Sequence, residues 1–422
     1  MNLKKKRWII LVACCLINLC LGSIYSWSIF ADAMAKHFTN ISGTTVTVAN
    51  LAIVYTIANA VSPLTMISGG WFNDKFGPKI VLLVGGTLFG LGMILSGFTV
   101  NVGWLIVTYG LISGFGMGMT YGTCVSTCVK YFPDKRGVIG GITTTIYGLS
   151  SVILPFIITP LASATNGPLT FQIIGGSFLA IIVISALFVN RCPDGYIPEG
   201  WNPPIKANDS LKQTEDKNWK GMLRSPEFYV MLFLLMCGAF CGMMIIPNAK
   251  AIGTNMVGLE SVVASTAVSI LALFNALGRL GAGTLSDKIG RINTLTIACA
   301  LSIVGMIVLY FTGLNNIVSF FIGIGLVGIC FGSFMGVFPG FTADQFGAKN
   351  NSVNYGVMFV GFALAGLFGP IVMTSIVNST GAYQVAFIIA AILSFVGVGL
   401  TFVYRLVIKR KKKNNIEAPE SL

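Results

Sequence analysis

Twelve long apolar segments constrain this chain more than any other feature of its sequence. A helix that crosses the hydrocarbon core of a bilayer needs about 20 predominantly apolar residues. The sequence offers such segments at 8–30, 46–69, 79–99, 103–130, 137–160, 168–190, 227–248, 262–284, 294–313, 316–340, 352–378 and 382–408. Only 10% of its 422 residues are charged, whereas soluble domains carry about 25%. The sequence therefore predicts an all-α membrane protein with twelve transmembrane helices.

Basic residues are concentrated on one side of these predicted spans. Of the 27 Lys and Arg, 24 lie in the termini, the central loop or alternate connections, while Lys36 and Lys250 fall opposite and Arg279 lies within a span. Because cytoplasmic loops are enriched in Lys and Arg, we expect a multi-pass protein of the plasma or inner membrane with both termini cytoplasmic. The net charge of +13 is then explained by topology and contact with anionic lipid, and no nucleic-acid partner is expected.

The ten cysteines give no indication of a metal site, a disulfide or a cofactor. Cys124 and Cys128 share one helix face at a spacing of four residues, but no histidine or carboxylate lies near them in the sequence. We expect them to be small buried core residues. No nucleophile–base pair or metal-ligand cluster is present in the sequence either, so an enzyme is not expected.

The two halves of the sequence resemble each other. Gly70-Trp-Phe-Asn-Asp-Lys-Phe-Gly-Pro-Lys79 follows the second predicted span, and Gly283-Thr-Leu-Ser-Asp-Lys-Ile-Gly-Arg291 follows the eighth. At an offset of 214 residues, glycines 114, 118 and 122 meet glycines 328, 332 and 336. The duplication predicts a six-helix bundle at 1–190, a cytoplasmic central loop at 191–226, a second six-helix bundle at 227–408 and a basic cytoplasmic tail at 409–422.

The duplicated loop has a physical interpretation of its own. Its glycines allow tight turns and close packing, and its carboxylate can accept hydrogen bonds from the N-terminus of a neighbouring helix. Such a loop could act as a conformational latch, although a simple basic turn is the alternative. The candidate latch residues are Gly70, Asp74, Lys75, Gly77, Gly283, Asp287, Lys288, Gly290 and Arg291.

This loop and its second copy resemble the signature of the major facilitator superfamily, over the whole chain. The resemblance implies two pseudo-symmetric six-helix bundles, a substrate site between them and transport by alternating access. A non-transporting membrane sensor of carboxylates and a channel are the alternatives from other classes. Saturable flux with counterflow would distinguish a carrier from both.

Arg279 is the one cation predicted deep within a span. It precedes Asp287 by eight residues, which places it about 12 Å further into the helix. Intramembrane charges mark functional sites by default, and snorkelling to the basic side would run against the direction of helical side chains. Because the predicted spans contain no acid to pair with it, we expect Arg279 to bind an anionic substrate, with Asn275 adding a hydrogen bond from the preceding turn.

Aromatic residues supply candidate walls for this site. They are Tyr25 in the first span, Tyr121 in the fourth, Phe331 in the tenth and Phe359 in the eleventh. Each could instead be a residue of helix packing. Three segments that begin at Tyr25, Tyr131 and Asn275 resemble the oxalate–formate antiporter family, a branch akin to the monocarboxylate transporters. The resemblance implies that Arg279 grips a substrate carboxylate and that Tyr25 and Tyr121 line the cavity.

One departure from that family concerns the substrate. Its oxalate antiporter has a lysine in the eleventh span, whereas this chain has Phe362 at the aligned position and no cation nearby. A second substrate charge would remain uncompensated, which costs several kcal/mol. We therefore expect a small monocarboxylate such as lactate, pyruvate or formate, with oxalate:formate exchange as the alternative. A co-transported proton or counter-anion stays open, His37 is interpreted as a solvated loop residue, and a functional monomer is expected.

Overall fold

The computed structural model describes residues 3–201 and 216–417. Within those ranges it consists of helices and connecting loops and contains no strand. Twelve helical spans in them are long and apolar enough to cross a membrane. They are Leu3–Ser42, Val48–Phe76, Pro78–Ser96, Val102–Tyr131, Arg136–Ala164, Gly167–Phe188, Pro226–Asn255, Val263–Ile289, Arg291–Tyr310, Ile317–Phe346, Asn351–Thr380 and Gln384–Lys411. The predicted all-α class and the predicted number of spans are confirmed.

Several spans are built from more than one helix. The helices are α1 (Leu3–Leu21), α2 (Trp27–Ser42), α3 (Ala52–Phe76), α4 (Pro78–Ser96), α5 (Val102–Leu105), α6 (Gly114–Tyr131), α7 (Arg136–Ile153), α8 (Pro155–Ala164), α9 (Gly167–Phe188), α10 (Trp219–Leu223), α11 (Pro226–Ile245), α12 (Ala249–Asn255), α13 (Ser261–Ile289), α14 (Arg291–Tyr310), α15 (Ile317–Phe346), α16 (Asn351–Met358), α17 (Val360–Thr380) and α18 (Gln384–Glu417). Short 3₁₀ segments occupy Gly22–Ser26, Val48–Leu51 and Ile246–Asn248, and a π-helix occupies Ile106–Ser113.

The described chain forms two compact units. One comprises residues 1–133, 143–199 and 349–357, and the other comprises 134–142, 200–348 and 358–422. The segment 349–357 from the second half of the sequence thus belongs to the first unit, and 134–142 from the first half belongs to the second unit. The sequence-based division at 190 and 227 assigned each of these segments to the half of the chain in which it lies.

Glycines that recur in the two halves of the sequence allow one pair of helices to pack closely inside each unit. In the first unit, a Cβ atom on Gly118 of α6 would overlap Ser62 of α3. In the second unit, a Cβ atom on Gly332 of α15 would overlap the carbonyl oxygen of Asn275 in α13. Gly118 and Gly332 are partners in the sequence repeat, so the same small residue performs the same packing in both units.

Three boundary predictions need correction or qualification. The first span continues to Ser42, so His37 lies on helix α2 and the prediction of a loop residue was wrong. Helix α18 continues to Glu417, so the tail predicted from 409 is helical up to that residue. Residues 202–215 of the predicted central loop and 418–422 of the tail lie outside the described part of the chain. Cys124 and Cys128 are fully buried, as predicted.

Candidate functional site

Arg279 is buried in the second unit, on helix α13. It exposes 2% of its surface, and its Nε donates a hydrogen bond of 2.9 Å to Oδ1 of Asn275, one turn earlier. The predicted contact between these two side chains is therefore present. The backbone of Arg279 lies against Gly336 of α15 and Gly141 of α7, at distances that leave no room for a Cβ atom on either glycine.

The burial of Arg279 argues against the snorkelling interpretation. A snorkelling side chain would end at the exposed surface, whereas Arg279 is almost fully enclosed. Asn275 holds Nε and thereby fixes the plane of the guanidinium, which stays charged in proteins. The same planar group presents parallel N–H groups that fit a carboxylate through two hydrogen bonds. Arg279 is thus a buried, oriented cation.

The two predicted tyrosines lie in the first unit and share a neighbour. Tyr25 is 40% exposed and Tyr121 is 7% exposed. The ring of Tyr147 on α7 lies 5.4 Å from the ring of Tyr25 and 4.7 Å from that of Tyr121. Sequence reasoning missed Tyr147, because no local motif marks it and only the packing of three helices brings it to the other two. It is the central member of a tyrosine cluster.

The two predicted phenylalanines belong to a second aromatic cluster, in the second unit. The ring centroid of Phe362 lies 6.1 Å from that of Phe331 and 4.4 Å from that of Phe359, with which it stacks. Phe331 also packs against Gly242 of α11, where a Cβ atom would overlap its ring. The position aligned with a lysine in the oxalate antiporter is therefore the centre of an apolar cluster.

In the first unit, Asp74 ends helix α3 and belongs to a set of polar groups that we name the first carboxylate network. Its Oδ2 accepts a hydrogen bond of 3.0 Å from the backbone N–H of Val353, at the start of α16. Its Oδ1 pairs with Nζ of Lys130 at 2.6 Å. Next to this pair, Ser352 Oγ accepts hydrogen bonds from Asn73 Nδ2 at 2.8 Å and from Ser126 Oγ at 2.9 Å.

The corresponding second carboxylate network lies in the second unit. Asp287 accepts hydrogen bonds of 2.9 Å from the backbone N–H groups of Gly137 and Val138, at the start of α7. Arg291 pairs with Asp287 at 2.6 Å and with Asp344 at 2.8 Å. Arg136 pairs with the other oxygen of Asp344 at 2.6 Å.

Both loop carboxylates thus accept backbone hydrogen bonds from a helix N-terminus, as their sequence predicted. Gly77 and Gly290 adopt positive φ angles of 88° and 89° where each loop joins two helices. Of the predicted latch cations, Arg291 joins its network, whereas Lys75 lies over the ring of Trp71 at 4.9 Å and Lys288 is exposed. Sequence reasoning did not place Lys130, Arg136 or Asp344 in the networks, because each is brought there from a distant span.

Comparison with known proteins gives this fold its family. The profile of the Major Facilitator Superfamily matches residues 8–326 and 257–421. The chain resembles the solved outward-facing structure of the transporter FucP with a TM-score of 0.70 at 14% identity, covering 94% of this chain and 99% of that one. The protein belongs to the Major Facilitator Superfamily. It is therefore a multi-pass membrane transporter and not an enzyme.

Sequence relatives indicate which members of the superfamily this chain resembles. The chain is 31% identical to the oxalate:formate antiporter of Oxalobacter formigenes over 405 residues, which are 94% of this chain and 91% of that protein. It is also 31% identical to the uncharacterized transporter YhjX of Escherichia coli over 367 residues, 87% of each protein. A zebrafish protein, monocarboxylate transporter 12-B, is 23% identical over 439 residues, 97% of this chain and 90% of that protein.

Proposed function

We propose that this protein carries small organic monocarboxylates across the plasma or inner membrane by alternating access, with Arg279 binding the substrate carboxylate. The observation that carries the proposal is the buried, oriented guanidinium on α13, held through Nε by Asn275. The names of the related antiporter and monocarboxylate transporter support the same class of substrate.

Charge balance supplies the mechanism in this proposal. A carboxylate bound to the buried guanidinium of Arg279 balances its positive charge, and a balanced pair is easier to move through an occluded state than a single charge. Exchange of substrate should therefore outrun net transport, since the empty carrier returns without the negative charge of the substrate. Tyr25 and Tyr121, with Tyr147 between them, are proposed to contribute hydroxyl and aromatic contacts to a substrate.

Oxalate:formate exchange is the second candidate function, favoured by 31% identity to an antiporter of that name. The aromatic cluster of Phe331, Phe359 and Phe362 argues against it. A dicarboxylate brings a second negative charge, and an apolar cluster offers that charge no partner. The same cluster suits a substrate with one carboxylate and a short apolar tail.

We further propose that the two carboxylate networks hold and release the ends of α16 and α7 during the cycle, as a pair of latches. The basic side of the spans, including both termini, is proposed to face the cytoplasm. Transport by a monomer, coupled to a proton or a counter-anion, completes the proposal.

The first experiment is counterflow in proteoliposomes with labelled lactate and labelled oxalate at matched concentrations. We expect saturable accumulation of lactate and little of oxalate. A sensor without transport activity would give neither. Preferred accumulation of oxalate would show that a second cationic group reaches the substrate, which would overturn the monocarboxylate assignment.

Arg279→Gln is the matched test of the arginine. We expect lactate counterflow to fall at least about a hundredfold, because the lost charge-assisted pair is worth about 3 kcal/mol. Lys250→Gln, at an exposed cation near the end of the seventh span, serves as control and should leave counterflow unchanged. Size-exclusion chromatography and thermal unfolding of both variants establish folding. Wild-type uptake by folded Arg279→Gln would refute the role of Arg279.

Phe362→Lys tests the substrate class from the opposite direction. A cation at this position would give a second carboxylate a partner, so we expect oxalate counterflow to appear and lactate counterflow to weaken. Phe362→Leu, which changes volume but not charge, is the control and should not admit oxalate. If oxalate gains nothing from the lysine, the cluster does not set the charge of the substrate.

A further inference from the structure

In the first unit, one ring contact joins the helix that follows a 3₁₀ segment to a π-helix. The 3₁₀ segment Gly22–Ser26 interrupts the first span just before Trp27. The π-helix Ile106–Ser113 forms part of the fourth span and carries Tyr109. The rings of Trp27 and Tyr109 stack with their centroids 4.9 Å apart. π-helical turns are rare and frequently mark functional sites. Trp27 and Tyr109, which lie beside a helix break and within a π-helix, are therefore candidates for a functional role.

Four buried polar groups on Trp27, Tyr109 and the 3₁₀ segment before Trp27 lack partners within the described part of the chain. They are Ser23 Oγ, Ser26 Oγ, Trp27 Nε1 and Tyr109 Oη. Trp27, the most exposed of the four residues, exposes 7% of its surface. Ser23 and Ser26 are three residues apart in a 3₁₀ helix, so their side chains lie on the same side. Each of the four groups can donate a hydrogen bond, and the indole N–H can only donate.

The chemistry of these donors defines what they can bind. Folded proteins rarely leave buried donors unsatisfied, since each one costs free energy. The segments 22–30 and 105–113 contain no Asp, Glu, Lys, Arg or His, so a fully charged guest would find no counter-charge in them. An uncharged oxygen atom satisfies the indole N–H and exchanges hydrogen bonds with the hydroxyl groups.

We propose that Trp27, Tyr109 and Ser26 form a buried site for a small uncharged oxygen acceptor. The acceptor is either an ordered water molecule or the hydroxyl or keto oxygen of a carried acid, since each of these oxygens accepts hydrogen bonds. Buried waters in proteins typically make about 3 hydrogen bonds, which equals the number of donor groups on these three residues. The guest joins the break in the first span to the π-helix of the fourth. The site uses residues that the proposed function does not, and only its ligand-bound form rests on the substrate class proposed above.

Tyr109→Phe tests the site because it removes one hydroxyl group and keeps the ring. An unsatisfied hydroxyl is better replaced by an apolar atom, so without a guest the melting temperature of the variant should stay unchanged or rise. With a guest, the variant loses a hydrogen bond and the melting temperature should fall by about 2 °C or more. Tyr310→Phe, at a residue that is 38% exposed, is the matched control and should have no effect.

A double-mutant cycle with Ser26→Ala shows whether one guest is shared. If both hydroxyl groups bind the same oxygen, the two substitutions together should lower the melting temperature less than the sum of the single effects. Additive losses, or no loss in either single variant and no change in ligand response, would overturn the proposal. Ser26→Ala also keeps the test decisive if Tyr109→Phe fails to fold.

The source of the oxygen follows from the same variants with and without ligand. A fall in melting temperature in the ligand-free protein identifies water. A normal ligand-free value, with loss of the stabilisation given by lactate or pyruvate but not of that given by propionate, identifies the hydroxyl or keto oxygen of the acid. The second arm rests on the proposed substrate class, whereas the ligand-free measurement does not, so failure of one proposal is distinguishable from failure of the other.

Discussion

The two carboxylate networks share one contact, between an aspartate and a helix N-terminus, and differ in the side chains around it. In each, an aspartate at the end of a long helix accepts hydrogen bonds from the backbone N–H groups that start another helix. Asp74 then pairs with Lys130, next to three neutral side chains that bond with one another, Asn73, Ser126 and Ser352. Asp287 pairs with Arg291, which also pairs with Asp344, and Asp344 pairs in turn with Arg136.

The difference shows which part of a duplicated element tolerates change. The contact between the carboxylate and a helix N-terminus needs only the glycine-bounded loop and backbone N–H groups. Backbone N–H groups do not depend on which side chains surround them. The surrounding side chains need only balance charge and satisfy buried donors. Neutral hydrogen bonds suit the first network, where Asn73, Ser126 and Ser352 are almost fully buried. A charged network suits the second, where Asp344 exposes 37% of its side chain to the surroundings.

The largest expected effect comes from the glycine that starts each loop. A Cβ atom on Gly70 would lie 2.5 Å from the carbonyl oxygen of Ser352, and one on Gly283 would overlap that of Gly137. Gly70→Ala and Gly283→Ala should each destabilise the protein by about 1–3 kcal/mol through overpacking, measured by thermal unfolding, and should slow lactate counterflow. Equal losses would support equivalent packing in the two units.

Matched controls exist for both glycine substitutions. Gly281→Ala lies on the same helix as Gly283, and Gly176→Ala lies in the first unit. Neither glycine has an atom within 4 Å of the position that a Cβ would occupy. Both control variants should therefore behave like the wild-type protein or be slightly more stable. A loss in the controls as large as that in Gly70→Ala would show that the close approach is not the cause.

The next effect compares the two aspartates. Asp74→Asn leaves the half-buried Lys130 without its carboxylate, and we expect a loss of about 2 kcal/mol, below the 3–5 kcal/mol of a fully buried pair. Asp287→Asn should cost about 1 kcal/mol, because Arg291 keeps its pair with Asp344 and loses one charge-assisted bond. Chemical or thermal unfolding measures both. Equal losses would mean that the backbone hydrogen bonds, and not charge balance, set the strength of each network.

The smallest effect concerns the two serines. Ser352 accepts hydrogen bonds from Asn73 and Ser126, so Ser352→Ala should cost about 1 kcal/mol through the donors left behind. Ser286 accepts one bond from Arg291, which retains two carboxylates, and Ser286→Ala should cost less than about 0.5 kcal/mol. Unfolding of the two variants side by side gives the comparison. A larger loss in Ser286→Ala would contradict the division into a neutral and a charged network.

Local sequence spacing predicted part of the candidate site. Asn275 and Arg279 are four residues apart, and a helix places such residues on one face, so their hydrogen bond was foreseeable. Tyr147 joins Tyr25 and Tyr121 from another span. Lys130, Arg136 and Asp344 reach their ion-pair partners across more than 50 residues of sequence. No local pattern marks such partners, because they depend on how whole helices are rotated against each other. For the same reason, the orphaned donors at Trp27 and Tyr109 emerged only from the packed structure.

The sequence by itself determined the class of fold, the number of spans and the duplication. A bilayer fixes the length of each span, and lipid forces the backbone of each span to satisfy its own hydrogen bonds. These constraints act on each segment alone and can be recognised along the chain. Tertiary structure decided which segments form each compact unit, where spans break and which side chains complete the networks. Those outcomes depend on contacts between distant residues, whose energies favour one packing of the helices over many others with the same spans.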